Sequence, residues 1–303
     1  MPAGRTWTIL DLVNEATTFF QGRGIESPRV NAEALLGHAL GLARVHLYTQ
    51  FDRPVDPEPL AAFRDLVRKR LERVPLQYLT GQVEFWSRTF AIRPGVFIPR
   101  PETEVLVERA LEAVRGAGDP DAGAQIAGAD TPRSIAEIGV GSGAVLVTLL
   151  SEMPGAAGIG TDVSKDALSL ARENAERHGV LDRIDFREGS LLDPLEGATF
   201  DLIVANPPYL AESIASTLAP EIREHEPPAA LYSGSDGFEA LRPLVAGAWR
   251  LLGPRGVLAL EIGDTQGAAA LNLIASHGAY DDVLLAKDYA GRDRVVVARR
   301  AAG

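Results

Sequence analysis

The chain has 303 residues, enough for about two domains and a substantial core. It contains no cysteine, which excludes disulfides, a thiolate nucleophile and any cysteine-based metal site. Its net charge of −11 is unevenly placed: residues 1–81 carry 10 basic against 9 acidic side chains, which leaves 20 against 32 in residues 82–303, a poor match to a duplex backbone although local patches matter more than totals.

The first residues, Met1 to Trp7, carry no apolar signal-like stretch, and no apolar run of about 18 residues occurs anywhere. A soluble, cytoplasmic protein without a membrane partner is expected. Ile9, Leu10, Val13, Ala16 and Phe20 recur at helical spacing, with Thr6 or Thr8 as N-cap and Gly22 or Gly24 as stop. Ser27 and Pro28 predict an N-cap and a first-turn proline for a second helix through Ala32, Leu35, Leu36 and Ala39 to Gly41. A short third segment spans 44–50, and a fourth uses Leu60, Phe63, Val67, Leu71 and Val74 after Pro57 and Pro59. Residues 1–75 thus read as a small helical bundle, in a domain bounded at residue 81. Arg68, Lys69, Arg70 and Arg73 form its basic cluster, either a solvated helix face or a partner-binding patch.

From residue 82 the pattern turns alternating and aromatic (Val83, Phe85, Trp86, Phe90, Ile92), which predicts a hairpin linking two domains over 82–96. Pro101 then stands at the mouth of an apolar helix through Val105, Leu106, Ala110, Leu111 and Val114. Residues 116–133, rich in Gly, Ala, Asp and Pro without periodicity, read as a mobile surface loop. Regular alternation follows. Strands are predicted at 134–138, 156–161, 184–187, 200–205 and 256–262, and helices at 144–152, 164–178, 237–252 and 266–276. Two last strands, 282–286 and 294–298, are close enough to pair antiparallel. The expected fold of residues 97–303 is α/β: a doubly wound, mixed sheet of seven strands, preceded by the helical bundle.

Two stretches carry chemistry. Asn206-Pro207-Pro208-Tyr209 follows the apolar run 200–205, at a strand end where ligands bind in open α/β sheets. The Asn206 oxygen is an acceptor for an N–H, the two prolines stiffen the loop and remove backbone donors, and Tyr209 offers a ring to a flat group. The alternative is a tight exit from a strand. The second stretch is Glu137-Ile138-Gly139-Val140-Gly141-Ser142-Gly143, whose glycines allow close backbone approach at a strand end. Its spacing is G-x-G-x-G, not the G-x-G-x-x-G of dinucleotide sites. Asp162 lies 19 residues beyond Gly143, at the next strand end, where a carboxylate accepts both hydroxyls of a ribose. The alternative for Asp162 is helix capping, a position Ser164 already serves. Ser190 and Leu191, after Gly189, either border an adenine ring or form an ordinary βα turn. Together these loops describe a site for S-adenosyl-L-methionine beside a planar amine or amide.

Over almost its full length the chain resembles the HemK/PrmC family of protein-(glutamine-N5) methyltransferases. The matching stretches are Gln77-Tyr78-Leu79-Thr80-Gly81, Glu84-Phe85-Trp86, Phe97-Ile98-Pro99-Arg100-Pro101-Glu102-Thr103-Glu104, the glycine loop, Asn206-Pro207-Pro208-Tyr209, Glu226-Pro227 with Ala230-Leu231, Gly234, Asp236-Gly237 and Gly291-Arg292-Asp293-Arg294. The tetrapeptide is shared with adenine-N6 methyltransferases; the Ile98–Glu104 segment with the helical domain is the more diagnostic part. Glu137 stands where the family usually has Asp, and Val140 where it often has Thr. The longer Glu137 side chain is expected to shift contact with the cofactor's amino-acid end without abolishing binding. The 116–133 loop is longer than usual.

The resemblance implies a Rossmann-like class I methyltransferase domain using S-adenosyl-L-methionine. Its expected substrate is the glutamine of the Gly-Gly-Gln motif in class 1 peptide chain release factors, with no direct nucleic-acid binding. Asn206, Pro207 and Tyr209 are then the catalytic residues. Glu137, Gly139, Gly141, Gly143, Asp162, Ser190, Leu191 and Asn206 bind the cofactor. Asn206, Pro207, Pro208, Tyr209, Arg100 and Glu102 bind the acceptor. Accepting both amide N–H bonds, at the Asn206 oxygen and the Pro207 carbonyl, orients a poorly nucleophilic nitrogen and stabilises the positive charge it gains. Neither a general base before transfer nor a metal is implied, and the five histidines read as structural. Arg100, Glu102 and Glu104 either line the acceptor cleft near the domain junction or form a helix start with favourable acidic residues. The competing functions are an adenine-N6 methyltransferase acting on a flipped base, a glutamine methyltransferase acting on a ribosomal protein, and an adapter that binds cofactor without transferring methyl.

Overall fold

A computed structural model describes residues 6–115 and 133–302. The predicted 116–133 loop lies outside the described residues but for Arg133. In chain order the helices are α1 (Ile9–Gly22), α2 (Pro28–Leu40), α3 (Arg44–Thr49), α4 (Pro57–Leu71) and α5 (Leu76–Thr80). A hairpin follows, β1 (Gln82–Phe85) and β2 (Arg88–Ala91), then α6 (Glu104–Arg115), β3 (Ser134–Ile138), α7 (Ala144–Glu152), β4 (Ala157–Asp162), α8 (Lys165–Arg177) and β5 (Ile184–Glu188). The chain continues through β6 (Phe200–Ala205), α9 (Pro220–His225), α10 (Leu241–Ala248), β7 (Leu252–Glu261), α11 (Gly267–His277), β8 (Tyr280–Lys287) and β9 (Asp293–Arg300). These elements cluster into two compact units.

The helical unit is residues 1–82 together with 219–225. Thr8 opens α1 with a capping box: its hydroxyl accepts from the Asp11 amide at 3.2 Å, and the Asp11 carboxylate accepts from the Thr8 amide at 3.2 Å. Trp7, Leu12, Phe20, Leu35, Leu36 and Phe63 fill its core. Ser27 precedes α2 as predicted, but it takes a left-handed conformation and makes no side-chain cap. Instead Asn31 reaches back to the Glu26 and Ser27 carbonyls at 3.0 and 3.2 Å. The basic cluster divides. Arg68 and Lys69 pair with Asp65 on an exposed face. Arg70 is buried, donates to Asn31 at 2.7 Å and, with Arg73, pairs with Glu221 of α9. The segment 219–225 thus belongs to the helical unit, a discontinuity that no feature of the sequence signals.

In the other unit seven strands form one sheet in the order β5-β4-β3-β6-β7-β9-β8. β3 to β7 are parallel; β9 inserts antiparallel between β7 and β8. The strand order reverses between β3 and β6, so the loops that leave these two strands open at the topological switch point, where such sheets bind ligands. β3 and β6 are buried almost throughout because helices cover both faces of the parallel portion. Two elements depart from the sequence reading by more than two residues. The predicted helix 237–252 shortens to α10, because Asp236 accepts from the Phe238 amide and Ser233 from the Ala240 amide in a turn before it. The strand predicted from 256 begins at Leu252: Gly253 and Pro254 lie in a bulge, where Leu252 opposes Phe200 and Val257 opposes Leu202.

Asn174 of α8, fully buried, ties this region together. Its side-chain oxygen accepts from the Ala91 amide at 2.7 Å, and its nitrogen donates to the carbonyls of Ala91 at 3.0 Å and Ser142 at 2.9 Å. Asn174→Ala strands three buried backbone groups and is expected to cost at least about 3 kcal/mol in urea unfolding; a loss below about 1 kcal/mol would contradict this account.

Candidate active site

The glycine loop after β3 is pinned from below. The Gly139 and Val140 amides donate to the Thr161 carbonyl at 2.9 and 2.8 Å, and the Gly141 amide donates to Asp162 Oδ2 at 2.9 Å. Gly139 and Gly141 have φ of +73° and +53°, and a Cβ on either would meet nothing within 4 Å. A side chain there would stand in open space above the loop, the room a ligand needs for close approach. Asp162 ends β4, and its Oδ1 also accepts from the Ser164 amide at 2.9 Å, while Ser164 itself caps α8 through the Ala167 amide. Asp162 therefore braces the helix start and the glycine loop at once. Each of its oxygens keeps a second lone pair for a hydroxyl.

Glu137 is buried at the end of β3. Its Oε2 accepts from the Leu146 amide of α7 at 2.8 Å, and burial pushes its carboxyl well above the ordinary range, with Asp162 adding to the rise. Gly143, behind the loop, packs its Cα side against Ala171 of α8. Ser190 is exposed and Leu191 half-buried with φ of +47°, a left-handed turn after β5 that neighbours the end of β4 in the sheet.

The tetrapeptide leaves the end of β6. Asn206 Nδ2 donates to Thr103 Oγ1 at 3.1 Å, which turns the amide so that its oxygen is left for another donor. Thr103 is buried in a turn of 3-10 helix that opens α6. Asn206 Oδ1 and the Pro207 carbonyl accept no hydrogen bond from the described residues. The Tyr209 hydroxyl donates to Glu261 Oε1 at 3.3 Å, and its backbone carbonyl is held by Gln266 Nε2 at 3.1 Å. Burial and the adjacent Glu261 push the Tyr209 phenol far up, so it stays protonated. Gly237 packs so close beneath this point that a Cβ on it would lie 2.3 Å from the Tyr209 carbonyl oxygen. Pro207 is buried and Pro208 half-buried.

Of the three charged residues near Pro101, Arg100 pairs with the buried Glu226 and stacks over Phe97, 4.9 Å from the ring centre. Glu226 also accepts from the Ile98 amide at 3.2 Å, so it fixes the whole 98–100 stretch. Glu102 is exposed. Glu104 accepts from the Trp86 amide at 2.7 Å and so belongs to the hairpin's support. Four residues of this site were not singled out in the sequence. Thr103 and Glu226 lay inside recognised stretches without a role, and Glu261 carried only the signal of an acid at a strand end. Gln266 carried none.

The charge at Glu261 has a consequence for stability. It is buried, and this pushes its carboxyl up to about 7 against the lowering influence of the Thr103 hydroxyl, Arg294 and the Tyr209 hydroxyl. Unfolded, a glutamate titrates near about 4.3. The folded protein thus holds the proton more tightly, so this contribution to stability is full below about 4.3 and is lost as pH rises through about 7. Glu261→Gln is expected to flatten that decline and to raise stability at pH 8 by up to about 3 kcal/mol in urea titrations. An unchanged pH dependence would contradict the assignment.

Comparison with known proteins agrees along the chain. The PrmC N-terminal domain matches residues 11–81, and the Methyltransferase small domain matches residues 111–225. The release factor glutamine methyltransferase of Geobacter sulfurreducens is 43% identical over 293 residues, covering 97% of each chain. The chain belongs to the release factor glutamine methyltransferase family. The member from Chlorobaculum tepidum is 40% identical over 298 residues, covering 97% of this chain and 98% of that one. Among solved structures, the METTL16 methyltransferase domain matches with a TM-score of 0.51 at 17% identity, over 78% of this chain and 98% of that one, a likeness of fold. The family's fold and the doubly wound sheet with a helical N-terminal unit coincide here. No helix among the described residues is long and apolar enough to cross a membrane.

Proposed function

We propose that this methyltransferase transfers a methyl group from S-adenosyl-L-methionine to the side-chain amide nitrogen of the glutamine in the Gly-Gly-Gln motif of class 1 peptide chain release factors, in the cytoplasm. The observation that carries this reading is the pair of open acceptors, Asn206 Oδ1 and the Pro207 carbonyl, with the Asn206 nitrogen already committed to Thr103. A primary amide has two N–H bonds on one nitrogen, and two acceptors on one rigid loop match them. Gripping both holds the nitrogen in place and favours the positive charge it gains on methylation. Tyr209, fixed at its hydroxyl by Glu261 and at its carbonyl by Gln266, packs its ring against the amide plane. The proton leaves the nitrogen after transfer, so no base is needed to start.

S-adenosyl-L-methionine, when bound, supplies the electrophilic methyl. Gly139, Gly141 and Gly143 give its carrier close access to the backbone, and Asp162 accepts the ribose hydroxyls. Glu137 supports the loop from within, and Ser190 and Leu191 border the adenine. Asn206 serves both cofactor and acceptor, while Pro208, Arg100 and Glu102 shape the acceptor side. The helical unit recognises the release factor. The experiment is direct: purified protein, labelled cofactor and a release factor, with the modified residue mapped by mass spectrometry. Label confined to the Gly-Gly-Gln glutamine is expected. Label in DNA, or in a ribosomal protein and not the release factor, would overturn the reading.

A further inference from the structure

Behind the open face of the tetrapeptide lies a buried acid with no part in the proposed transfer. Glu261 ends β7 and is 1% exposed. Its Oε1 accepts from Tyr209, while its Oε2 has no hydrogen-bond partner among the described residues. Thr103, 3% exposed, adjoins the same carboxylate with its hydroxyl and accepts an N–H of the Asn206 amide on a lone pair. The charged or titratable groups facing Glu261 are Tyr209 from the tetrapeptide, Arg294 from β9 and Glu102 from the turn before α6. Arg294 is its cationic neighbour, yet it does not bind it. The guanidinium donates to the Ile262 carbonyl at 3.2 Å and to Asp288 at 3.4 Å, and its buried Nε is unpartnered. A buried, half-satisfied carboxylate is a poor way to stabilise a fold; such groups concentrate where function requires them.

We propose that Glu261 is a positioning residue for methyl transfer: through the Thr103 hydroxyl it sets the Asn206 amide with its oxygen outward, and through the Tyr209 hydroxyl it sets the ring. A carboxylate only accepts, and the Thr103 hydroxyl, whose proton has no other acceptor among the described residues, turns that proton toward Glu261; this leaves Thr103 only an acceptor for Asn206. Asn206 must then present its nitrogen inward and its oxygen to the substrate. A neutral acid or an amide at residue 261 can donate to Thr103, which frees the threonine proton to point at Asn206 and favours the flipped amide, with its nitrogen outward and useless as an acceptor. The carboxylate charge also stabilises the positive charge that the acceptor nitrogen gains. The inference rests on the proposed function for its kinetic consequence, but the amide orientation can be read without any substrate.

Glu261→Gln and Thr103→Val test it, with two readouts. The first is the side-chain amide resonance of Asn206 in the isolated protein, assigned by its loss in Asn206→Ala. In the wild type it is expected to shift with pH with a midpoint near 7, as Glu261 titrates; in Glu261→Gln the shift is absent. A wild-type resonance that does not move between pH 5 and 9, or one that moves equally in Glu261→Gln, overturns the proposal whether or not a release factor is the substrate. The second readout is turnover. Glu261→Gln is expected to lower kcat roughly tenfold or more, less than losing a group that touches the reacting atoms, with KM nearly unchanged and the acid limb of the pH–rate profile abolished. Thr103→Val should lower kcat similarly, and the double variant should be little worse than either. Wild-type kcat in Glu261→Gln, or a loss that appears only as raised KM, overturns it. A wild type that labels no release factor while the resonance titrates as expected would instead overturn the proposed function and leave the positioning inference supported.

Discussion

Asn206→Ala is expected to lose methyl transfer by about a hundred- to a thousand-fold while the protein remains folded and binds cofactor with little change. The size follows from what the side chain does. Its oxygen is one of two acceptors for the reacting nitrogen, and its interaction strengthens as that nitrogen becomes positive, so the loss falls on kcat. Its remaining anchor, a 3.1 Å bond to Thr103, is partly buried and worth about 1 kcal/mol, too little to threaten the fold. Asn206→Asp is expected to be no better. The carboxylate has no donor for Thr103, and it places a second negative charge near Glu261. Single-turnover measurements with saturating cofactor, paired with calorimetric titration of the cofactor, check both. Near-normal turnover in Asn206→Ala would sink the role assigned to the tetrapeptide.

The second large effect is expected at Asp162. Asp162→Ala removes the acceptor for two ribose hydroxyls and the brace of the Gly141 amide at 2.9 Å and the Ser164 amide at 2.9 Å. Hydrogen bonds to a charged acceptor contribute about 1.5–3 kcal/mol each, so loss of two weakens cofactor binding by about a hundredfold or more. Asp162→Asn separates the parts of this effect. It keeps one acceptor oxygen for one of the two amides and loses the charge, so an intermediate affinity is expected. Titration with S-adenosylhomocysteine reads this directly, without turnover. Equal affinity in wild type and Asp162→Ala would refute the ribose assignment.

Much of the architecture was legible because its causes are local. Helices α1 and α8 declare themselves by apolar spacing and by the caps Thr8 and Ser164. The glycine loop and the tetrapeptide could be placed at strand ends because each directly follows a short apolar run. Other features took their form from packing. The strand expected from 256 starts at Leu252, because pairing of β6 with β7 extends back past Gly253 and Pro254 through a bulge. Ser27 reads as a capping side chain, yet it makes no cap, and the entry to α2 is tied instead by Asn31 donating to the Glu26 and Ser27 carbonyls. Arg70 resembles its exposed neighbours Arg68 and Lys69 in sequence, and only packing buries it against Asn31 and Glu221.

By itself, then, the sequence determined the order and type of the βα units, the family, and which two loops bear the chemistry, since periodicity, caps and short motifs are properties of neighbouring residues. Tertiary structure decided who holds those loops. Thr103 meets Asn206 across 103 positions, Glu226 meets Arg100 across 126, and Glu261 meets Tyr209 across 52. These meetings depend on the sheet order, which sets β6 between β3 and β7 and brings β9 beside β7. No local pattern encodes that order. Burial, which turns an ordinary glutamate at a strand end into an acid titrating near neutrality, exists only once the sheet has closed around it.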